Sequence, residues 1–250
     1  MRWLAGIAVV VIGCGRVHFE PRVFVDAVGE GDTGLIQGLI HHWPLDEAPG
    51  DTIAHDIIGG ADATLTAPAA FTTVAQVGSG ALASNTGGFA FVSMPSDLVG
   101  TSTLTMSAWF QRNAVNGKEQ LGQELAPLNV ANNHELSIQF WDDGLIYVCV
   151  GDTAPCGTVS SNDMAWHFVE LVFDGTQTSD ATRLALYLDR TRRVLTFTSP
   201  PAVPATTPTV LGNHFDLGAV TDNEGQDAGS IDDVRIYDHA LDASEIAALP

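Results

Sequence analysis

The side chains of this chain that could do chemistry are carboxylates, histidines, a few tryptophans and three cysteines, and their spacing narrows what each can do. Neither the Gly-x-Ser-x-Gly elbow of a hydrolytic serine nor the His-Glu-x-x-His pair of a zinc protease occurs. Glu119 and Glu124 lie too far apart for paired acid–base work, and Glu135 stands alone on its strand. His41 and His42 precede Trp43 on a predicted strand, where alternation sends neighbouring side chains to opposite faces, so they do not share one ion. His134 and His214 are isolated, and all four histidines read as surface or hydrogen-bonded structural residues. Sugar rings stack on aromatic faces, so carbohydrate binding needs an exposed Trp or Tyr. Trp141 is the candidate platform, with Asn133 as a polar neighbour and Asn132 and Gln139 close by. The same position also suits a half-buried aromatic that closes a hairpin. Asp222, Glu224 and Asp227 form an acidic loop that is either a solvated turn or a source of oxygen ligands.

The elements that must position these residues are strands. Apolar segments of strand length recur between Gly, Pro, Asn and Asp clusters: 39–43, 81–83, 89–92, 104–111, 135–141, 145–150, 167–173, 183–188, 191–197, 209–211 and 231–237. Asp142-Asp143-Gly144 is a hairpin turn whose glycine suits a positive φ. The prolines of residues 200–208 predict a stiff, extended connection. Helical periodicity is absent until Asp242, where Asp-Ala-Ser-Glu245 has the spacing of a capping box before Ile246 and Leu249.

At 250 residues, 45% of them hydrophobic, the chain can bury a large core, and all-β sandwiches of this length commonly form one domain. Its net charge of −20, from 30 Asp+Glu against 10 Lys+Arg, repels nucleic-acid phosphates and anionic lipid surfaces. Nucleic acid is therefore not an expected partner.

Met1-Arg2 followed by the apolar run 3–12 reads as a signal peptide, because the run is too short to span a bilayer. The run ends in Val11-Ile12-Gly13-Cys14, which resembles the lipobox of bacterial lipoproteins; the alternative is an ordinary secretory signal with a chance cysteine. On the lipoprotein reading residues 1–13 are removed and Cys14 is lipidated. Gly15 in place of Asp favours the outer membrane, on its periplasmic or its exterior side. Lipidation takes one cysteine of three, leaving Cys149 and Cys156 to bracket a turn-rich segment as a candidate disulfide on the oxidising side of the membrane. Residues 14–37 read as a tether, or in part, through Val23-Phe24-Val25, as an added edge strand.

The run from Gly229 to Leu249, Gly-x-Ile-Asp-Asp-Val-Arg-Ile-Tyr-Asp-x-Ala-Leu-x-x-x-Glu-Ile-x-x-Leu, resembles the closing signature of LamG-like domains, concanavalin A-like jelly rolls related to laminin G modules and pentraxins. Three earlier segments agree in type and order: His42 to Glu47, Leu104 to Phe110, and Trp166 to Val169 followed by Leu186 to Asp189. The resemblance implies an all-β, two-sheet antiparallel jelly-roll sandwich over residues 38–250, ending in a short helical turn. Trp43, Trp109 and Trp166 fall at motif positions, which implies burial in the core. Retaining glucanases of this sandwich class carry Glu-x-Asp-x-x-Glu on one strand. That motif is absent, so no enzyme is expected. Many LamG-like domains bind Ca²⁺ near their first and last strands, and the matching positions are Asp46 or Asp56 and Asp232 or Asp233. The alternative is that Asp232 and Asp233 pair with Arg235 and backbone. The functional expectation is a non-catalytic extracytoplasmic module that binds a glycan or protein through rim loops. A structural, assembly or adhesion lipoprotein without a small-ligand site is the second reading, and a glycoside hydrolase the third.

Overall fold

In the computed structural model the chain divides into residues 1–33 and Gly34–Pro250. The structure describes residues 37–84, 88–93, 98, 102–112, 136–140, 145–150, 157–160, 163–178, 180–197, 214–218 and 229–249. The opening strands are β1 (Leu39–Trp43), β2 (Ile53–Ala54), β3 (Ala63–Thr66), β4 (Ala70–Thr72), β5 (Ala81–Ala83) and β6 (Phe89–Ser93). The middle of the chain forms β7 (Thr103–Arg112), β8 (Leu136–Phe140), β9 (Leu145–Val150), β10 (Gly157–Ser160) and β11 (Trp166–Asp174). A single helical turn, α1 (Asp180–Arg183), leads into β12 (Leu184–Leu188), β13 (Thr191–Arg193), β14 (Thr196–Phe197), β15 (His214–Leu217) and β16 (Gly229–Tyr237), before α2 (Ala243–Ala248).

The larger sheet runs β13-β12-β11-β7-β16-β5-β4, with β1 also on β16; the smaller sheets run β14-β10-β9-β8 and β15-β6-β3-β2. All their pairings are antiparallel. One apolar cluster joins Met106, Phe110, Leu171 and Ile236 of the larger sheet to Ala90, Val92, Ile146 and Val148 of the smaller ones. That shared core makes the architecture a sandwich. The segments 81–83 and 145–150 form strands with the bounds their sequence predicts. The stretch 191–197 does not form one strand: it breaks at Val194-Leu195, between β13 at the edge of one sheet and β14 at the edge of another.

The outward face of the larger sheet carries a second cluster, in which Leu241, Ile246 and Leu249 at the chain's end cover Val172, Tyr187 and Tyr237. Asp242 holds α2 there as its cap, accepting from the Ser244 and Glu245 amides while Glu245 accepts from the Asp242 amide. Trp43 is fully buried. Trp109 is not a core residue: Met106, Ala108 and Phe110 take the inward positions of β7, so alternation turns Trp109 outward, half-buried against Phe168 at 5.1 Å between ring centroids. Trp166, at the start of β11, is also only half-buried. Among the described residues no helix is long and apolar enough to cross a membrane.

Candidate functional site between the opening and closing strands

β1 lies antiparallel beside β16, which brings His42 opposite Arg235 and Trp43 opposite Val234. The opening motif and the closing motif, distant in sequence, are thus one place in the fold. Four carboxylates named from the sequence gather around it, and they divide into two kinds.

Asp56 and Asp233 are engaged by protein groups, Asp56 through both oxygens and Asp233 through Oδ1. Asp56 Oδ1 accepts from the amides of His42 at 3.0 Å, Ile58 at 3.1 Å and Gly59 at 3.0 Å, and Oδ2 takes the Ala61 amide at 2.9 Å and pairs with His41 Nδ1 at 2.7 Å. Burial raises its pKa, but His41 and the ring of amides outweigh burial and hold the carboxyl well below the ordinary range. Gly59 makes the ring possible, since a Cβ there would collide with the His41 imidazole and the Ile40 carbonyl. His41 in turn stacks on Trp43, whose Nε1 donates to the Ala61 carbonyl at 2.9 Å. Asp233 sits at a bulge in β16 with φ 52. Its Oδ1 meets His42 Nε2 at 2.6 Å and the Arg235 guanidinium at 3.2 Å. Burial again raises the pKa, and His42 and Arg235 together bring it below the ordinary value. Both Asp56 oxygens are committed to protein donors, which gives that carboxylate a structural task. Asp233 is committed through Oδ1 alone, and among the described residues no donor reaches its Oδ2.

Asp46 and Asp232 are different. Asp232 Oδ2 accepts from the Gln76 and Val77 amides, each at 2.8 Å, while Oδ1 is buried without a partner. Burial first, and the Asp233 and Asp46 charges after it, push this carboxyl up to about 7, against the pull of the two amides. Asp46 Oδ1 takes the Ser79 amide and, at 2.8 Å, the Gly80 amide. The loop 76–80 therefore bridges the two acids through its N–H groups. A Cβ on Gly78, which has φ 64, would collide with both Asp46 oxygens. Beside Asp46, an open cleft of about 350 Å³ is lined by Glu47, Gly50, Asp51, Thr52, Ile53 and His55. Glu47 contributes a second buried, unpartnered oxygen, Oε2. Ile57, Ile58, Val74 and Val77 are exposed on the adjoining loops.

His41 and His42 go to different carboxylates. Cys14, Asn133, Trp141, Cys156 and the acidic loop 222–227 lie outside the described residues, as does the side chain of Cys149. No group of three or more His, Cys, Asp or Glu placed to hold a metal occurs among the described residues. Sequence reasoning did not single out Glu170. It lies on β11 opposite Ser107 and Tyr187, 0% exposed, and neither oxygen has a hydrogen-bond partner. Its signal was present, a lone acid inside the apolar run 168–173.

Comparison with known proteins agrees with this architecture. The Trypanosoma rangeli sialidase in complex with sialic acid superposes at TM-score 0.59 with 17% identity, over 86% of this chain and 33% of the sialidase chain. The binding domain of botulinum neurotoxin DC in complex with SialylT superposes at TM-score 0.60 with 12% identity, over 84% of this chain and 49% of the toxin chain. A botulinum neurotoxin type C structure, from work on cell entry through two ganglioside molecules, gives 0.60 and 13% over 84% and 50%. The chain thus spans about a third of the sialidase and half of the toxin chains, and at these identities the likeness is one of fold. No curated protein matches. The sequence of residues 86–247 matches the laminin G family described as the concanavalin A-like lectin/glucanases superfamily, and the chain belongs to that family.

Proposed function

We propose that the chain is a non-catalytic, extracytoplasmic binding module that recognises a glycan through the loops at the rim of its sandwich. The observation that carries this reading is the lectin-like sandwich of a concanavalin A-like family member. Toxin binding domains of the same fold, solved with SialylT or studied for ganglioside interaction, support it. The second reading, adhesion to a protein, is favoured by exposed Ile57, Ile58, Val74 and Val77 on the rim loops. Cys14 is proposed as the lipid anchor to the bacterial outer membrane, and detergent-phase partitioning of the full chain that survives Cys14→Ser would count against it.

Calcium is proposed as the ion of the rim, held by Asp46 and Asp232. The fit rests on Asp232 Oδ1, a buried oxygen with no partner beside a second carboxylate, where a hard cation would take the place of a proton. When bound it would neutralise two like charges and tie the opening turn to the last strand. The test is glycan binding and thermal melting of the full chain with Ca²⁺ and with chelator. Saccharide binding without hydrolysis supports the module. A melting temperature several degrees higher in Ca²⁺, with the rise lost in Asp232→Asn, supports the ion. A melt indifferent to chelator removes calcium, and an array with no bound glycan sinks the lectin reading.

A further inference from the structure

On a chain of net charge −20 with 10 Lys+Arg, Arg183, Arg190, Arg192 and Arg193 concentrate in one short stretch. Arg192 and Arg193 lie on β13, where the chain leaves the larger sheet and crosses to β14 of a smaller one. At that crossing a cleft of about 300 Å³ is lined by both arginines together with Leu184, Val194, Leu195 and Phe197. This volume is at the small end for ligand sites, enough for one or two sugar rings.

The cleft is built from unlike halves. Register pairs Arg193 with the core residue Leu186, so Arg193 stands on the inward side of the edge strand, and its Nε is buried without a hydrogen-bond partner. Arg192 pairs with Tyr187 and stands on the outward side, in solvent. Neither forms a salt bridge with a carboxylate among the described residues. The other half is apolar: Leu195 and Phe197 sit against Gly157, where a Cβ would come within 3.0 Å of both, and Val194 is 89% exposed at the lip. An unpaired, partly buried guanidinium seeks an anion, and its planar fork suits the two oxygens of a carboxylate or sulfate. The apolar half suits the C–H face of a sugar ring.

We infer that this cleft binds the anionic group of an acidic saccharide, Arg193 and Arg192 holding its carboxylate or sulfate while Phe197, Leu195 and Val194 contact the ring. The inference rests on the glycan-binding reading and narrows its ligand to one charge class. It places that ligand at the β13–β14 edge, apart from the Asp46–Asp232 rim. The chain's overall negative charge does not forbid this, because at physiological salt charges beyond about 8 Å are largely screened.

The test is calorimetric binding of 3′-sialyllactose, 3′-sulfolactose and neutral lactose to the full chain. Either anionic sugar should bind at least about tenfold tighter than lactose, and the two arms separate carboxylate from sulfate. Arg193→Ala should weaken the preferred anion about ten- to a hundredfold. Arg193→Lys, which keeps the charge but loses the fork, should fall between, and exposed Arg192→Ala guards against a folding artefact in the Arg193 variants. Equal affinity for lactose and both anions overturns this inference and leaves glycan binding standing. Arginine variants that bind the anion normally but self-associate would assign the pair to edge-strand protection, which also overturns it. Binding of no saccharide at all ends both readings.

Discussion

Asp56, in the turn after β2, and Glu170, in the middle of β11, are 6% and 0% exposed, and the protein surrounds them in opposite ways. Asp56 is ringed by the amides of His42, Ile58, Gly59 and Ala61 and by the His41 imidazole. Glu170 faces Ser107 and Tyr187 across its strand neighbours, and the one donor near it, the Arg190 amide, does not reach hydrogen-bonding geometry. The Asp56 carboxyl accordingly stays far below its usual pKa. Burial pushes Glu170 up to about 8, with Arg190 only partly opposing it and Asp189 adding to it. Depth in the fold is nearly equal, so the number of donors, not burial, decides which carboxyl is charged at neutral pH. The backbone explains the difference. A turn offers several free N–H groups to one side chain, whereas a strand inside a sheet has already given its N–H groups to its neighbours.

The larger effect is expected at Asp56. Asp56→Ala would strand the ring of amides and His41 inside the protein, and breaking a buried pair of this kind costs about 3–5 kcal/mol. For a chain of this size that lowers the melting temperature by roughly 10 °C. The sign of its pH dependence also follows. The folded pKa lies below the ordinary 3.8, so Asp56 stabilises the fold fully above that value, and the contribution is lost progressively as pH falls from it through the lower folded pKa. A melting curve for Asp56→Ala within a degree or two of the parent would mean that the ring of amides is solvated in the native state, and the contrast with Glu170 would collapse.

How far such contrasts are legible before folding depends on how local their causes are. β1, β9 and the capping box at Asp242 could be read from residues a few places apart, and each formed where expected. β2, β3, β4, β10 and β15 could not. They are two to four residues long, several rich in Ala and Thr, and draw their definition from partners elsewhere, as Ala63 does from Val92. The site divides along the same line. Only the resemblance to LamG-like domains brought Asp46, Asp56, Asp232 and Asp233 into one neighbourhood. It gave no hint that Gly59 would close a ring of amides around Asp56 while Asp232 Oδ1 was left bare. The split at Val194-Leu195 was hidden for the same reason, since periodicity does not say that a strand changes sheets.

The smaller effect belongs to Glu170, and it separates donors from burial most directly. Below the ordinary pKa of 4.5 both folded and unfolded chains carry a protonated Glu170, and its ionisation adds no pH-dependent cost. As pH rises the unfolded chain gives up its proton first, while the folded chain keeps it until about 8, so stability falls across that window and is flat above it. Between pH 5 and 8 the loss is on the order of 3–4 kcal/mol. Glu170→Gln keeps the shape and removes the titration. It should match the parent near pH 5 and exceed it increasingly up to pH 8, in urea midpoints measured with chelator present. Asp232, whose carboxyl is also raised, tilts both curves alike and drops out of their difference. If the two curves run parallel from pH 5 to 8, Glu170 already has its donors in solution. The outer face around Ser107 and Trp109, whose Oγ and Nε1 are also buried without partners, would then be open to water.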